Sequence, residues 1–262
     1  MVASFRIMPN SENLPKQAAP HLTEAPSAFS EFPSLYKNYA STHAGVANPD
    51  ADRVLTRDFL RHIPRSAQRI LDLGCGQGQL VRLCQTAGFP DTYGVDISPE
   101  QLKLGRTANV SNLILGDAFD VLTDMTGQLD VVLACDFVEH LPRDAVLALF
   151  AAVVTALRPG GMFIGRTPNG NSPFHGFYYH GDLTHRSLLT PRSLHQVASN
   201  SGFSHPQVFP CPPVPHGPTS LARVVAWQFC EAVIKVAMRI ETGLATDVIT
   251  QNLVFTVSRP CE

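Results

Sequence analysis

The chain has 262 residues, 44% hydrophobic and 16% charged, with a formal net charge of -2. That length builds one large domain, or one domain with appendages, around a sizeable core. The charge balance lacks the basic footprint of phosphate-dominated binding, so no nucleic acid is expected, and no apolar run approaches the roughly 18 residues that cross a bilayer.

Residues 1–33 are rich in Pro, Ser, Ala and Glu and read as a mobile leader before a single domain over residues 34–262. No apolar core follows Arg6, so the segment is not a secretory signal. Cys75, Cys84, Cys135, Cys211, Cys230 and Cys261 form no CxxC pair. Neither a zinc site nor a disulfide framework is expected, and reduced thiols suit a cytoplasmic protein.

From about residue 50, strand-like runs alternate with helical periods. The strands are RILDL (69–73), TYGVDI (92–97), NLILG (112–116), LDVVLAC (129–135) and MFIGR (162–166). Between them LVRLCQTAG, PEQLKLGRTA and DAVLALFAAVVTAL have helical period, and Arg158-Pro159-Gly160-Gly161 stops the last of these and turns. Residues 167–189 are too turn-rich for helix or strand. In an open α/β sheet a loop here leaves the carboxyl edge where ligands bind, so this is the expected substrate loop.

The helix PRSLHQVASNSGF, a sixth strand near 206–210, the Pro-rich CPPVPHGP, a long helix over 219–242 and the strand TQNLVFTVSR complete the order. The expected fold is α/β, a Rossmann-like doubly wound, mostly parallel seven-stranded sheet with helices on both faces. The long helix is apolar almost all round, with a narrow polar stripe of Arg223, Gln228, Glu231, Lys235 and Arg239. It needs cover: packing within the fold or in a homodimer is favoured over a lid or a membrane contact, because charges along its length oppose burial in lipid.

ILDLGCGQGQL places Gly74, Gly76 and Gly78 just past the first strand. The spacing is GxGxG; the dinucleotide fingerprint GxGxxG needs its third glycine where Gln79 stands. Asp72, at the strand end, would repel a pyrophosphate. Asp96 ends the next strand, placed to accept hydrogen bonds from a ribose diol. A nucleoside carrying a positive group satisfies all three features, and S-adenosyl-L-methionine is such a molecule.

With these motifs in this order, the chain resembles the class I S-adenosylmethionine-dependent methyltransferases over about residues 36–210. The resemblance implies that Asp72 and the backbone of Gly74, Cys75, Gly76 and Gly78 surround the methionine part. It puts Asp96 on the ribose, Ile97 against the adenine, and Asp117, with Ala118 beside it, at the adenine amino group. CDFVEHL places Asp136 in the loop beneath the methionine, facing the acceptor, and LRPGGMFI matches the family's entry to its fifth strand. In YKNYASTH, Tyr36, Tyr39 and His43 stand at helical spacing, as a lid or as ordinary core packing.

The stretch from His180 to Phe203, CPPVPHG and the long helix resemble methyltransferases of bacterial polysaccharide and glycan biosynthesis, which implies a sugar hydroxyl as acceptor. Arg186 and Leu188 depart from that pattern. The alternatives are O- or N-methylation of a small metabolite, such as a quinone precursor or natural product, and a cofactor-binding protein without chemistry.

An alcohol acceptor must lose a proton, and His suits that task near neutral pH. His140 is one candidate, equally able to cap a helix or pack beside the ligand. YYHGDLTH holds the others: Asp182 lies between His180 and His185, where a carboxylate can fix an imidazole's tautomer. The same three could merely fasten their loop. His185 lies only three residues past Asp182, so no metal site is expected. Phe174, Phe177, Tyr178 and Tyr179 either stack on a sugar or bury the loop.

Overall fold

The computed structural model describes residues 50–244 and 247–261. The expected leader and the Tyr36, Tyr39, His43 helix lie outside the described residues.

Among the described residues the elements run α1 (Ala51–Asp58), a 3-10 turn (Leu60–His62), β1 (Ile70–Leu73), α2 (Gln79–Thr86), β2 (Thr92–Asp96), α3 (Pro99–Thr107), β3 (Leu113–Leu115), α4 (Ala118–Asp124) and β4 (Leu129–Cys135). A second 3-10 turn (Val138–His140) follows, then α5 (Arg143–Ala156), β5 (Leu157–Pro168), α6 (His175–Tyr179), α7 (Pro191–Asn200), β6 (Ser204–Pro210), α8 (Pro218–Thr242) and β7 (Asn252–Ser258). The sheet order is β3-β2-β1-β4-β5-β7-β6. The first five strands are parallel; β7 runs antiparallel to both β5 and β6. This is the expected mostly parallel, seven-stranded sheet.

β1 is buried at all four residues because it is central and covered on both faces. It pairs with β2 on one side and β4 on the other, Asp72 lying between Gly94 and Leu133. The winding reverses here, so the loops after β1 and β4 part and open a crevice at the carboxyl edge. One face of the sheet carries an aromatic core in which Phe163 meets Phe255 at 5.1 Å and Phe150 at 5.2 Å between ring centroids. The other face packs Phe59, Ile63, Leu80 and Cys84 against β1 and β4. Local signals fix several helix starts. The Ser98 hydroxyl accepts from the Gln101 N–H ahead of α3, and Thr190 and Ser193 form a reciprocal capping box ahead of α7.

Four local features differ from the sequence reading. Helix α4 was not expected: seven residues, with Ala118 and Leu122 buried, are too short to display a period. The 167–189 segment includes α6, and β5 runs on to Pro168. Arg158–Gly161 forms a bulge, pairing passing from Leu129↔Leu157 to Val131↔Met162. The long helix is not covered within the fold, one of the two covers expected for it: Leu221, Val225, Phe229, Val233, Val236 and Ile240 are exposed, and Ser220 is the one buried residue of α8. The cysteines are all free thiols, as expected. No helix among the described residues is long and apolar enough to cross a membrane.

Candidate active site

Two cavities adjoin in the crevice and share Gly74, Gly76, Cys135 and Asp136 as a common wall. The smaller, about 490 Å³, is bounded by Asp96, Ile97 and Ser98 after β2, by Gly116 and Ala118 after β3, and by Phe137 and His140 after β4. The larger, about 940 Å³, reaches from Asp72 and Arg166 to Phe174, Phe177, Tyr178 and Trp227.

The glycine turn is shaped by what a side chain would meet. Gly78 has φ +76°, and a Cβ there would lie 2.8 Å from Leu113 and 2.9 Å from Val110. Gly76 has φ +53°, yet a Cβ on it would meet nothing within 4 Å. The backbone therefore stands bare against the cavities, where a ligand can lie directly on it.

Asp72 is 2% exposed, and its Oδ1 has no hydrogen-bond partner. Burial, and then the nearby Asp96 carboxylate, hold its carboxyl well above the usual range. A buried acid of this kind is completed by a cationic group. Asp96 accepts one backbone N–H on each oxygen, from Ser98 and Gly76, both at 2.8 Å. Its pKa is also raised, by burial, with those two bonds opposing the shift. Ile97, 39% exposed, stands beside it on the cavity wall. The Asp117 carboxylate is turned away to cap α4, accepting the Phe119 N–H at 2.7 Å, so its neighbours Gly116 and Ala118 line the cavity.

Asp136, at the common wall, has φ +51°, rare for a side-chain-bearing residue. Arg166 holds it there with a two-pronged bond, Nε to Oδ1 at 3.0 Å and Nη2 to Oδ2. Burial would raise the Asp136 pKa, but the guanidinium outweighs it and keeps the carboxylate ionised below its ordinary value. Arg166 also reaches the fully buried Asp58, Nη1 to Oδ2 at 3.1 Å. Asp58 joined no sequence motif.

Among the candidate bases, the fold brings His140, Asp182 and His185 together and leaves His180 outside, packed edge-on against Tyr179. The His140 and His185 ring centroids are 4.9 Å apart. Thr184 Oγ1 lies 2.8 Å from His140 Nδ1 and donates to Asp182 at 2.7 Å, while His185 Nδ1 lies 3.0 Å from the Tyr179 carbonyl. Burial, and then His185, press the His140 pKa down to about 4. Of these residues His140 alone lines either of the two cavities, the smaller one. The larger cavity carries a different histidine: His216 Nδ1 lies 3.1 Å from Asp50 Oδ2, and both residues line it. Nothing in the sequence marked this pair, an acid at the start of the described chain and a lone His in a Pro-rich stretch.

A doubly wound sheet, a bare glycine turn, a buried unpartnered acid and a ribose-type acid, opening onto a second cavity, define the class: a methyl-transfer fold with a pocket for S-adenosyl-L-methionine. The chain belongs to the methyltransferase-domain family, whose family model matches residues 47–207. It is 30% identical over 139 residues to the ubiquinone biosynthesis O-methyltransferase of Bordetella bronchiseptica, covering 51% of this chain and 56% of that one. The corresponding protein of Xylella fastidiosa is 30% identical over 114 residues, 42% of this chain and 45% of that one. The chain thus spans about half the length of the curated relatives it matches. Among solved structures, a SAM-dependent methyltransferase from Archaeoglobus fulgidus superposes with a TM-score of 0.62 at 21% identity, covering 86% of this chain and 99% of that one. Phosphoethanolamine N-methyltransferase 2 of Haemonchus contortus, in complex with S-adenosyl-L-methionine, gives a TM-score of 0.56 at 16% identity, covering 87% and 59%.

S-adenosyl-L-methionine is therefore the cofactor, and the residues present fit it. The orphaned Asp72 oxygen would suit its positive charge, the Asp96 carboxylate its ribose hydroxyls, and the bare Gly76 backbone its close approach.

Proposed function

We propose that the protein is an O-methyltransferase whose acceptor is a hydroxyl on a flat, largely apolar small molecule of the quinone-precursor kind. The carrying observation is the larger cavity, which shares its floor with the cofactor pocket and is walled by Phe174, Trp227 and Tyr178. Such rings can sandwich a planar acceptor, while Asp136 at the common wall and Arg166 in the larger cavity offer polar anchors. The names of the relatives found support the same acceptor class.

When bound, the cofactor supplies an electrophilic methyl carbon on a sulfonium. This chain's residues hold the acceptor oxygen in line, exclude water and take its proton. We assign proton removal to His216, oriented by Asp50: its imidazole would take the proton of the acceptor hydroxyl. The exposed face of α8 is where we place a second copy of the chain.

The saccharide acceptor is the second reading. It draws on Phe177, 81% exposed, and Tyr178, 47% exposed, at the rim, where ring faces can meet a sugar. One assay separates the two: labelled methyl transfer to a panel of dihydroxybenzoates and catechols beside sugar nucleotides and glycans. Transfer to the phenols alone supports the first reading, and transfer to sugars alone replaces it. Cofactor binding with no transfer to any acceptor favours a non-catalytic protein. His216→Ala is expected to keep cofactor affinity and lose ~10²-fold or more in kcat.

A further inference from the structure

Glu139, His140 and His185 meet between the turn after β4 and the loop after α6. One potential ligand atom from each lies within 4.8 Å of the others. Glu139 and His140 are buried, at 1% and 8% exposed, and His185 is partly buried, its side chain 9% exposed. Glu139 Oε2 has no hydrogen-bond partner, an orphan that is costly to bury unless something completes it.

The two imidazoles carry outer partners of the sort metal-bound histidines have. His140 Nδ1 faces Thr184 Oγ1 at 2.8 Å, and that hydroxyl gives its own proton to Asp182; Thr184 therefore accepts from His140, leaving Nε2 as the lone-pair nitrogen. His185 Nδ1 donates to the Tyr179 carbonyl at 3.0 Å, which fixes the same tautomer. Imidazoles locked by a hydroxyl–carboxylate relay on one side and a carbonyl on the other present Nε2 as ligand. The backbone already joins the two segments: the Arg186 and Ser187 N–H groups donate to the Glu139 carbonyl at 2.7 and 3.0 Å.

We propose that Glu139, His140 and His185 bind a divalent transition ion of the zinc type, which clamps the 180–187 loop to the turn after β4. Two nitrogens and one carboxylate oxygen suit such an ion, whereas magnesium and calcium prefer all-oxygen sets. Bonds of about 2.0 Å place tetrahedral donors about 3.3 Å apart. Binding would draw the Glu139 carboxylate, whose Oε2 has no other partner, in toward the two held imidazoles. The site is distinct from the methyl-acceptor cavity, so its role is to position: His140 is its link to the cofactor pocket wall.

The test loads full-length, chelator-treated protein with Co²⁺ and then Zn²⁺, followed by visible absorption and by metal analysis after dialysis. Wild type is expected to retain a single equivalent, show d–d bands of a low-coordinate N,O site, and melt at a higher temperature with Zn²⁺. His185→Ala and Glu139→Gln should lose all three effects, while His180→Ala, on the same loop but outside the cluster, keeps them. No retained metal in wild type, or equal retention in His185→Ala, overturns the proposal. Should Glu139→Gln fail to fold, His185→Ala decides by itself.

Discussion

The Gly76 N–H donates to Asp96 Oδ2 at 2.8 Å, tying the glycine turn after β1 to the end of β2. The other oxygen takes the Ser98 N–H, so one carboxylate organises both loops that border the smaller cavity, where a ribose diol would meet it. Asp96→Asn turns one acceptor into a donor facing a donor. Hydrogen bonds to charged groups contribute about 1.5–3 kcal/mol, so cofactor affinity should fall about 10- to 100-fold by calorimetry. Unchanged affinity would separate Asp96 from the ribose.

Alanine at two glycines of one turn should act differently. At Gly78 the new Cβ strikes Leu113 and Val110 and must also adopt φ +76°. Left-handed strain of about 1–2 kcal/mol and overpacking then add, so Gly78→Ala should lower stability by about 2 kcal/mol or more. At Gly76 only the backbone strain applies, because the methyl enters open cavity. Gly76→Ala should therefore lose proportionally more cofactor affinity than stability. Denaturant titration beside calorimetry reads both quantities.

Asp72 sets a pH dependence with a definite sign. Its folded pKa lies well above the ordinary value of 3.8 because burial, then Asp96, disfavours the carboxylate. For a raised group, the stability contribution is complete below the unfolded pKa and is lost as pH rises through the folded pKa. The cofactor-free protein should thus lose this contribution as pH rises from the ordinary carboxylate value through the raised folded pKa. A cationic ligand favours the ionised form, so binding should release a proton, and affinity should climb with pH by up to about tenfold per unit. Calorimetry in buffers of differing ionisation enthalpy measures that proton. Its absence, or its persistence in Asp72→Asn, would remove Asp72 from the site.

The sheet and the cofactor half were legible because they rest on short-range patterns: strand runs ended by glycines at fixed spacing, and an acid at the end of the next strand. Gly74, Gly76, Asp72, Asp96 and Ile97 all face the two cavities. Asp117 was harder, since the same carboxylate that could meet an adenine also caps a helix too short to be seen in advance. The acceptor side was least legible. Asp58 with Arg166, and Asp50 with His216, are pairs made by tertiary folding across more than a hundred residues. The loop histidines looked like one local cluster, yet the fold separates His180 and joins His185 to Glu139 and His140 from another segment.

Arg166 joins that acceptor side to stability. It bonds the half-buried Asp136 and the fully buried Asp58, whose other partner is Arg57 Nε at 2.6 Å. Removing one member of a buried ion cluster leaves charge uncompensated, at about 3–5 kcal/mol. Arg166→Met should lower stability by that order and reduce turnover, because Asp136 would no longer be held at φ +51°. Adding Asp58→Asn should restore part of the stability but not the turnover. Full additivity in the double-mutant cycle would deny the coupling.

The exposed stripe on α8 gives an expectation about assembly. Leu221, Val225, Phe229, Val233, Val236 and Ile240 fall on one side of the helix, with 53% to 80% of each exposed. At 1.5 Å per residue the stripe runs about 29 Å, longer than an isolated surface residue can explain. Arg223, Lys235, Arg239, Glu231 and Glu241 on the same helix mix both signs, which suits a like helix better than an anionic lipid surface. Two copies laid stripe to stripe bury the same apolar residues on each, as a two-fold interface requires. Sedimentation should therefore find a dimer, and Phe229→Glu with Val233→Glu should yield a monomer of unchanged cofactor affinity. A wild type that stays monomeric across the concentration range, or that sediments with lipid vesicles instead, would assign the stripe to another occupant.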